Sequence, residues 1–407
     1  WIGAAAALAV GAVLEGPGLW TRAQLETAAG EGKPAEAAMR RLRGFHSEPA
    51  LLRACYEGNR GTAMSTDIAG WVMRGWRIPL AMFGRGGINQ LDSGRMRDVF
   101  FRVTGKPFNT LEPPRTVREG SFLRGGSVGF DELEWDDHLG GGEVAVRMRD
   151  LYLAESRFDG HLEDVSGLGY GEWTMVFRNG GAVEREARCQ VRLPWGGRVS
   201  RLTLWVNGEP REAAFAGVAR VRGAYQEVAV RQRRDPVLVT MAGPDTVIVQ
   251  CFPVPAHGEM KIRVGVTAPF DGGRWVLPRI VERNFGLVDG LEHAVWLQSG
   301  TGFSLAGGGR NSVRDGEGQS LAVSLPVLPD DSSWGVVEIA ARGEPAAVWC
   351  PDPFAGAGEG KVLVAQPDKR RRAAFERCVV VVGGSAAVGG WGGRLGAAEE
   401  QGAGWGA

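Results

Sequence analysis

The stretch "AYQEVAVRQRRDPVLVTMAGPDTVIVQCFPVPAHGEMKIRVGVTAPF", residues 224–270, carries the clearest structural signals of the chain. Two apolar runs, residues 237–241 and 246–252, flank the turn sequence Ala-Gly-Pro-Asp. After "PVPAHGE", the apolar residues Ile262, Val264 and Val266 alternate with other residues, a pattern typical of a half-buried strand. The stretch therefore predicts two strands around a turn, a proline-rich loop and a third strand.

A helix is predicted just before these strands. Apolar residues recur there at helical spacing, at Val218, Val221, Tyr225 and Val228. Pro236 disfavours helical geometry at Asp235, so we expect the helix to span about 218–233. The basic run 231–234 then lies at its solvated end, where arginine complements the negative end of the helix dipole. Nucleic-acid binding is not expected, because Lys+Arg and Asp+Glu both number 47.

Strand signals also dominate the preceding residues. In "REARCQVRLP", residues 185–194, Ala187, Cys189 and Val191 alternate with Arg188 and other polar residues, which predicts a strand with one solvated face. The pair Asn207-Gly208 is the strongest short signal for a hairpin, because both residues tolerate positive φ. Glycine accounts for 63 of 407 residues, about twice the usual ~7%, which favours turns and short strands. The fold class is predicted to be mainly β.

The N-terminal part is predicted to be different. Residues 1–14 carry no charge, and fourteen residues are fewer than the ~20 of a spanning helix. They are expected to be either a buried alanine-rich helix or the end of a transmembrane helix, with a stop at Glu15-Gly16-Pro17; we expect a fragment at both chain ends. Residues 15–110 are predicted to be helical or irregular and membrane-proximal, and residues 111–144 to form an acidic, glycine-rich linker.

No cofactor or metal is expected. The five cysteines are widely separated and include no Cys-x-x-Cys pair, which indicates buried thiols and disfavours a zinc site. The odd number of cysteines also argues against a complete disulfide framework.

Residues 145–270 resemble the VIT domain, the module of vault protein and inter-alpha-trypsin inhibitor. The motif that carries the resemblance consists of a predicted helix that contains a tyrosine, followed by "RRDP", "FP-V-P" and "GE". Its residues are Tyr225, Glu227, Arg234, Asp235, Pro236, Phe252, Pro253, Pro255, Gly258 and Glu259. The resemblance implies a β-sandwich-like domain with one embedded helix. Together with "TDIAGW" and "RDVFFRVTGKPFN", the block also resembles bacterial membrane proteins of the MSEP-CTERM type, associated with PEP-CTERM sorting and exosortase.

The C-terminal residues resemble the start of a von Willebrand A domain. After a β-rich connector at 271–370, residues 371–407 contain the apolar run "CVVVV", which resembles the first buried strand of that α/β fold. The family places Asp-x-Ser-x-Ser after this strand to hold a divalent metal. Here Gly383, Ser385 and Ala387 stand at those positions, so two of three oxygen ligands are missing and no metal is expected.

Sequence motifs that would instead indicate a catalytic or ligand-binding site are weak. "GGSVG" at 125–129 matches Gly-x-Ser-x-Gly with Ser127 as nucleophile, but the strand and helix of a nucleophile elbow are not evident. The acidic cluster 131–138 lacks calcium-loop spacing and is expected to be a solvated loop. "GLGYG" at 167–171 and "GTGFSLAGGG" at 300–309 are expected to be turns. His257 is expected at a loop rim.

We therefore expect a non-catalytic, membrane-associated protein of the bacterial cell envelope. It would mediate protein interaction or assembly through the VIT-like domain, with an unknown protein partner and membrane attachment by its N-terminal helix. One alternative is a secreted hydrolase that uses Ser127 or the acidic cluster. The other is a carbohydrate-binding β module, which would need Trp173, Trp195 and Trp205 exposed on one face.

Overall fold

The computed structural model of the chain describes residues 2–56, 93–113, 143–164, 166–214, 237–306, 312–315, 318–327, 335–339, 348–351 and 362–365. The chain divides into two compact units. One contains Trp1–Asp137 and Phe375–Ala407, and the other contains His138–Ala374. We refer to them as the helical unit and the β unit.

The helical unit contains four described α-helices. They are α1 (Ile2–Ala28), α2 (Gly32–Gly44), α3 (Glu48–Tyr56) and α4 (Ser93–Thr104), followed by a 3-10 turn at Phe108–Thr110. Helix α2 buries Ala35, Ala38, Met39 and Leu42, the i, i+3, i+4, i+7 pattern of an amphipathic helix. These side chains join Leu25, Leu51 and Phe100 in the core of the unit. The prediction of helices in this region is confirmed for the described residues.

Helix α1 continues through Glu15-Gly16-Pro17, where the apolar run of the sequence ends; an exit from a membrane at these residues stays a prediction. Proline removes one backbone donor, but the following turn is fixed by other contacts. The Thr21 hydroxyl donates to the carbonyl oxygen of Pro17 at 2.7 Å, and it accepts from the backbone N–H of Ser47 at 2.8 Å. Thr21 is completely buried, so packing holds the helix together past the proline. None of the described helices has the sustained hydropathy of a membrane-spanning segment.

The β unit confirms that the fold is mainly β. Its strands are β1 (Leu151–Glu163), β2 (Leu168–Asn179), β3 (Arg185–Arg192), β4 (Arg198–Val206), β5 (Glu209–Glu212), β6 (Val237–Gly243), β7 (Thr246–Val254), β8 (Glu259–Pro269), β9 (Arg274–Val276), β10 (Arg279–Arg283), β11 (Gly286–Leu287), β12 (Glu292–Ser299), β13 (Phe303–Leu305), β14 (Ser312–Asp315), β15 (Gly318–Pro326), β16 (Val336–Ile339), β17 (Val348–Pro351) and β18 (Val362–Ala365). They form four sheets.

The largest sheet, sheet A, has the strand order β14-β15-β12-β1-β2-β8-β4-β5, with β11 also paired to β1. It is mixed, because β12 runs parallel to β1 while the other pairs along this order are antiparallel. Strand β12 belongs to the predicted connector and β1 to the predicted VIT-like domain. Strand pairing therefore continues across residue 270.

Sheet B has the order β10-β3-β7-β6, and β7 lies next to β2 and β8 of sheet A. Strands β6, β7 and β8 confirm the three strands predicted between 237 and 266, each a few residues longer than expected. Ile262, Val264 and Val266 are buried as the alternation predicts. The hairpin at Asn207-Gly208 is also confirmed, since φ is 54° and 82° at these residues and β4 pairs with β5.

The glycine-rich "GLGYG" is part of a strand, so its prediction as a turn is wrong; "GTGFSLAGGG" likewise includes strand β13. Both glycines of β2 face large rings. A Cβ at Gly171 would lie 2.1 Å from Cζ of Phe158, and a Cβ at Gly169 would lie 2.6 Å from Nε1 of Trp275. Glycine is needed here because aromatic rings pack directly on the strand backbone.

Strand β3 differs from its prediction in one respect. Ala187, Cys189 and Val191 are buried as expected, but Arg188, expected on a solvated face, is also buried. Its guanidinium lies 3.1 Å from the carboxylate of Glu186 and donates to the carbonyl oxygen of Glu143 at 2.9 Å. The segment before β1 therefore covers this face, and an ion pair makes the burial of the charge tolerable.

Candidate functional site

The described part of the resemblance motif forms the connection between sheets B and A. Phe252 and Pro253 are buried near the end of β7 and are joined by a cis peptide bond. The backbone N–H of Asn179 donates to the Gly258 carbonyl oxygen at 2.9 Å. His257 is exposed in this turn, as predicted, with φ of 52°. These contacts give the motif residues a structural role, since they fix a turn.

Pro255 and Glu259 complete the described motif. The Pro255 carbonyl oxygen accepts from the backbone N–H of Gly258 at 3.1 Å, and a Cβ at Gly258 would lie 3.0 Å from Cβ of Pro255. Glu259 forms an exposed ion pair with Arg178 at 2.7 Å. A side chain at position 258 would therefore be in tight contact with the proline.

Most other predicted site residues lie outside the described residues. They are Ser127, the cluster 131–138, Tyr225, Glu227, Arg234, Asp235, Pro236, Gly383, Ser385 and Ala387, together with the predicted helix 218–233. The hypotheses of a nucleophile, an acidic site and a degenerate metal site stay predictions.

The three tryptophans of the carbohydrate hypothesis do not share a face. Trp173 is 2% exposed and lies in the interior. Trp195 is 60% exposed, at a turn closed by a hydrogen bond from Gly197 N–H to the Pro194 carbonyl oxygen. Trp205 is half-buried, with Nζ of Lys261 4.6 Å and Cζ of Arg263 4.9 Å from its ring centroid. Two cationic side chains therefore already lie over the Trp205 ring.

The strongest polar arrangement is on the solvent side of sheet A. Its centre is Glu172 on β2, whose carboxylate accepts hydrogen bonds from three side chains. Tyr170 donates at 2.7 Å, Arg201 at 2.8 Å and Arg263 at 3.0 Å. Arg201 also binds Glu212 on β5 at 2.7 Å. Strands β2, β8, β4 and β5 are thus linked by one network, which we call the Glu172 network.

Strand register explains how these side chains meet. Glu172 pairs with Gly265 on β8, and Gly265 pairs on its other side with Arg201 on β4. The three residues form one lateral row, so Arg201 reaches Glu172 across β8. A Cβ at position 265 would lie 2.7 Å from Cβ of Arg201 and 2.9 Å from the Tyr170 hydroxyl. Glycine opens the space that the network occupies.

The network shifts the pKa of its members in consistent directions. Burial, followed by the hydrogen bond to Glu172 and the charge of Glu172, raises the pKa of Tyr170 to about 12. Burial alone would raise the pKa of Glu172, but the hydrogen bonds from Tyr170 and Arg201 and the charges of both arginines outweigh it and lower the pKa. The hydrogen bond from Arg201 lowers the pKa of Glu212. The carboxylates are therefore held ionised and the phenol protonated.

A serine–histidine pair lies on the opposite, buried side of sheet A. The Ser156 Oγ and His293 Nδ1 atoms are 2.8 Å apart, and the Trp173 indole N–H donates to Ser156 Oγ at 2.9 Å. Both members of the pair are almost completely buried, and burial lowers the pKa of His293 to about 4. A catalytic nucleophile must be accessible to its substrate. Because Ser156 and His293 are both buried, the pair has a structural role in the core. The histidine stays neutral between neighbouring strands.

Sequence reasoning missed the Glu172 network. Its members lie between residues 170 and 263, and they meet only through the order of β2, β8, β4 and β5. The available signal was a charged or aromatic residue at alternate positions of each strand, which also describes any solvated sheet face. Among the described residues, no group of three or more His, Cys, Asp or Glu side chains could hold a metal ion.

Comparison with known proteins gives no assignment. No protein-family model matches the sequence, and no curated protein matches it. Among solved structures, the chain is similar to the M1 zinc metallopeptidase from Deinococcus radiodurans, at 11% identity and TM-score 0.28, over 54% of this chain and 47% of that chain. It is also similar to native leukotriene A4 hydrolase from Saccharomyces cerevisiae, at 8% identity and TM-score 0.27, over 54% and 32% of the two chains. The chain thus spans at most about half of these proteins, and similarity at this level gives no evidence about activity.

Proposed function

We propose that the chain is a non-catalytic, membrane-associated protein of the bacterial cell envelope, and that its β unit binds a protein partner. The proposal includes the finer fold implied by the resemblance. Residues 145–270 form a sandwich-like VIT domain with a helix at 218–233, and the C-terminal residues begin a von Willebrand A-like domain without its metal. Attachment to the membrane by the N-terminal helix and a link to exosortase processing belong to the same proposal.

The observation that carries the proposal is the Glu172 network. It places tyrosine, tryptophan and arginine side chains on one solvent-facing area, the residue types that contribute most at protein interfaces. The side chains are already fixed by mutual hydrogen bonds, so a partner would order few of them on binding. A role in binding therefore explains a rigid surface of this composition better than a role in solubility alone.

The charges of the area favour an acidic group on the partner. Arg201, Arg263 and Lys261 carry three positive charges against two negative charges on Glu172 and Glu212, an excess of one. No described carboxylate lies within ion-pair distance of Lys261, whose ammonium instead packs on Trp205. The partner surface is therefore proposed to present a carboxylate near Lys261, and salt should weaken the complex.

Site-specific photo-cross-linking in cells that express the full chain tests this proposal. A benzophenone side chain at Thr174, half-buried beside the network, should form an adduct with one partner. The same probe at Asp289, exposed between β11 and β12, should give none. An Arg263→Ala change in the Thr174 background should abolish the adduct. Equal adducts at both positions, or an adduct that survives Arg263→Ala, would refute binding through the network.

A further inference from the structure

A second feature of sheet A is a depression on strands β12 and β15, which adjoins the Glu172 network at strand β1, where Asp159 pairs with Glu172. Its volume is about 460 Å³, within the range of small-molecule sites. The floor consists of small residues, Ala294, Ala322 and Ser324, and the rims are Trp296 and Arg157. Ala294 pairs with both Arg157 and Ser324 across the strands, and Trp296 pairs with Ala322. Small side chains between two large ones create the concavity.

The backbone of strand β12 is not available to a ligand at this place. Strand β12 is paired with β1 on one side and β15 on the other, whereas the described part of β14 pairs with β15 at residues 318–321, before the β15 residues that line the depression. An extended peptide that bound by adding a strand would need a free edge. A ligand in the depression would therefore contact the side chains of β12 and not its backbone.

The charge at the rim is already balanced. The Arg157 guanidinium binds the carboxylate of Asp159 through Nε and Nη2, with distances of 2.7–2.9 Å. A free anion or cation gains little from a rim that carries no net charge. The pair still has hydrogen-bonding capacity, since a carboxylate has about four acceptor positions and a guanidinium five donors. Ser324 adds an exposed hydroxyl.

Trp296 supplies the apolar surface. It is 37% exposed, and no described cation or aromatic ring stacks on it, in contrast to Trp205. The negative face of an aromatic ring attracts groups with partial positive charge, such as the C–H groups of a saturated ring. A suitable ligand thus combines one C–H face with hydroxyl groups on its edge and carries no charge.

We propose that this depression binds a neutral pyranose sugar. The sugar ring would stack on Trp296, and its hydroxyls would exchange hydrogen bonds with the Arg157–Asp159 pair and Ser324. For a ligand of about twelve heavy atoms, the usual binding energy per atom gives a Kd of about 1 mM for one sugar unit. Longer glycans that touch neighbouring positions would bind more tightly.

Saturation-transfer NMR with the full chain tests the proposal. The probes are the methyl pyranosides of glucose, galactose, mannose and N-acetylglucosamine, with open-chain sorbitol as a neutral polyol control. At least one pyranoside should bind saturably through its C–H face, and sorbitol should not bind. Absence of saturable binding by all four pyranosides, or equal binding of sorbitol, would overturn the proposal.

Matched variants locate the binding. Trp296→Ala should weaken the sugar about tenfold or more, whereas Trp205→Ala on the same sheet should change its affinity within about twofold. Ala322→Leu fills the floor and keeps Trp296, so it should also abolish binding while circular dichroism confirms the fold. Unchanged affinity in Ala322→Leu would contradict the site. Saturable binding of a proline-rich peptide in place of the pyranosides would assign the depression to peptides and overturn the sugar.

Discussion

Glu172 and Arg201 form an ion pair of 2.8 Å although strand β8 lies between their own strands. The pair passes over Gly265, which is the residue of β8 in register with both. A charged contact that crosses an intervening strand needs a strand position without a side chain. The arrangement therefore links one glycine to the geometry of the whole Glu172 network.

Gly265→Ala should destabilise the β unit by about 1–3 kcal/mol, because the new methyl group overlaps Arg201 and Tyr170. Denaturant unfolding measures the effect. Gly243→Ala is the matched control, since its Cβ would meet only ordinary contacts of 3.6 Å and longer with Thr246. If the two variants have the same free energy of unfolding, the close approach at Gly265 is incorrect.

The ionisation of Tyr170 should be delayed at high pH. Burial and the Glu172 carboxylate raise its pKa to about 12, so absorbance at 295 nm should show one tyrosine that titrates late and disappears in Tyr170→Phe. In the unfolded chain the phenol ionises near its ordinary pKa of about 10. The stabilisation is therefore complete below that pH and is lost as pH rises toward 12. In Glu172→Gln the phenol should titrate earlier; an unchanged titration would separate Tyr170 from the network.

His293 should make the protein sensitive to mild acid. Burial lowers its pKa to about 4, whereas the unfolded chain takes up the proton near pH 6.5. The neutral histidine therefore stabilises the fold fully above pH 6.5, and this contribution is lost as pH falls toward 4.

Thermal unfolding between pH 7 and pH 4 measures this loss, which should be of the order of 3 kcal/mol. In His293→Gln the corresponding pH dependence should be absent. His161→Gln, on the neighbouring strand β1 with an exposed side chain, is the matched control for removal of a histidine. An identical slope in all three proteins would show that His293 is accessible to solvent.

The buried ion pair of β3 should be far more important for stability than an exposed one. Glu186→Gln removes the carboxylate from a buried ion pair with Arg188, and the expected cost is about 3–5 kcal/mol. Glu259→Gln breaks an exposed pair with Arg178 and should cost at most about 1 kcal/mol. Urea unfolding compares the two variants, and similar costs would mean that Arg188 reaches water.

The sequence predicted those parts of the fold that depend on local patterns. Alternating apolar residues indicated β8, and Asn207-Gly208 indicated the hairpin of β4 and β5, because both signals come from neighbouring residues. It did not predict the burial of Arg188 or the strand at "GLGYG". Those depend on Glu143, Phe158 and Trp275, which reach them only through tertiary packing.

The Glu172 network is even harder to predict from the sequence than these parts of the fold. Tyr170 and Glu172 are far along the chain from Arg201 and Arg263, and no local spacing relates them. Their proximity follows from β8 lying between β2 and β4, which is a property of strand order. For the same reason, the positions of the tryptophans in the sequence do not predict which of them share an exposed face. The face of each strand that meets solvent is determined by what packs on the other face.

Binding of a protein partner by the Glu172 network can be measured as the affinity of the chain for the partner captured at Thr174. With that partner purified, Arg201→Ala and Arg263→Ala should each weaken binding about tenfold or more, and salt should weaken the parent complex. Arg274→Ala, which breaks an exposed ion pair in another sheet, should leave the affinity unchanged. An affinity that is the same for all three variants and the parent chain would show that the partner does not bind through the Glu172 network.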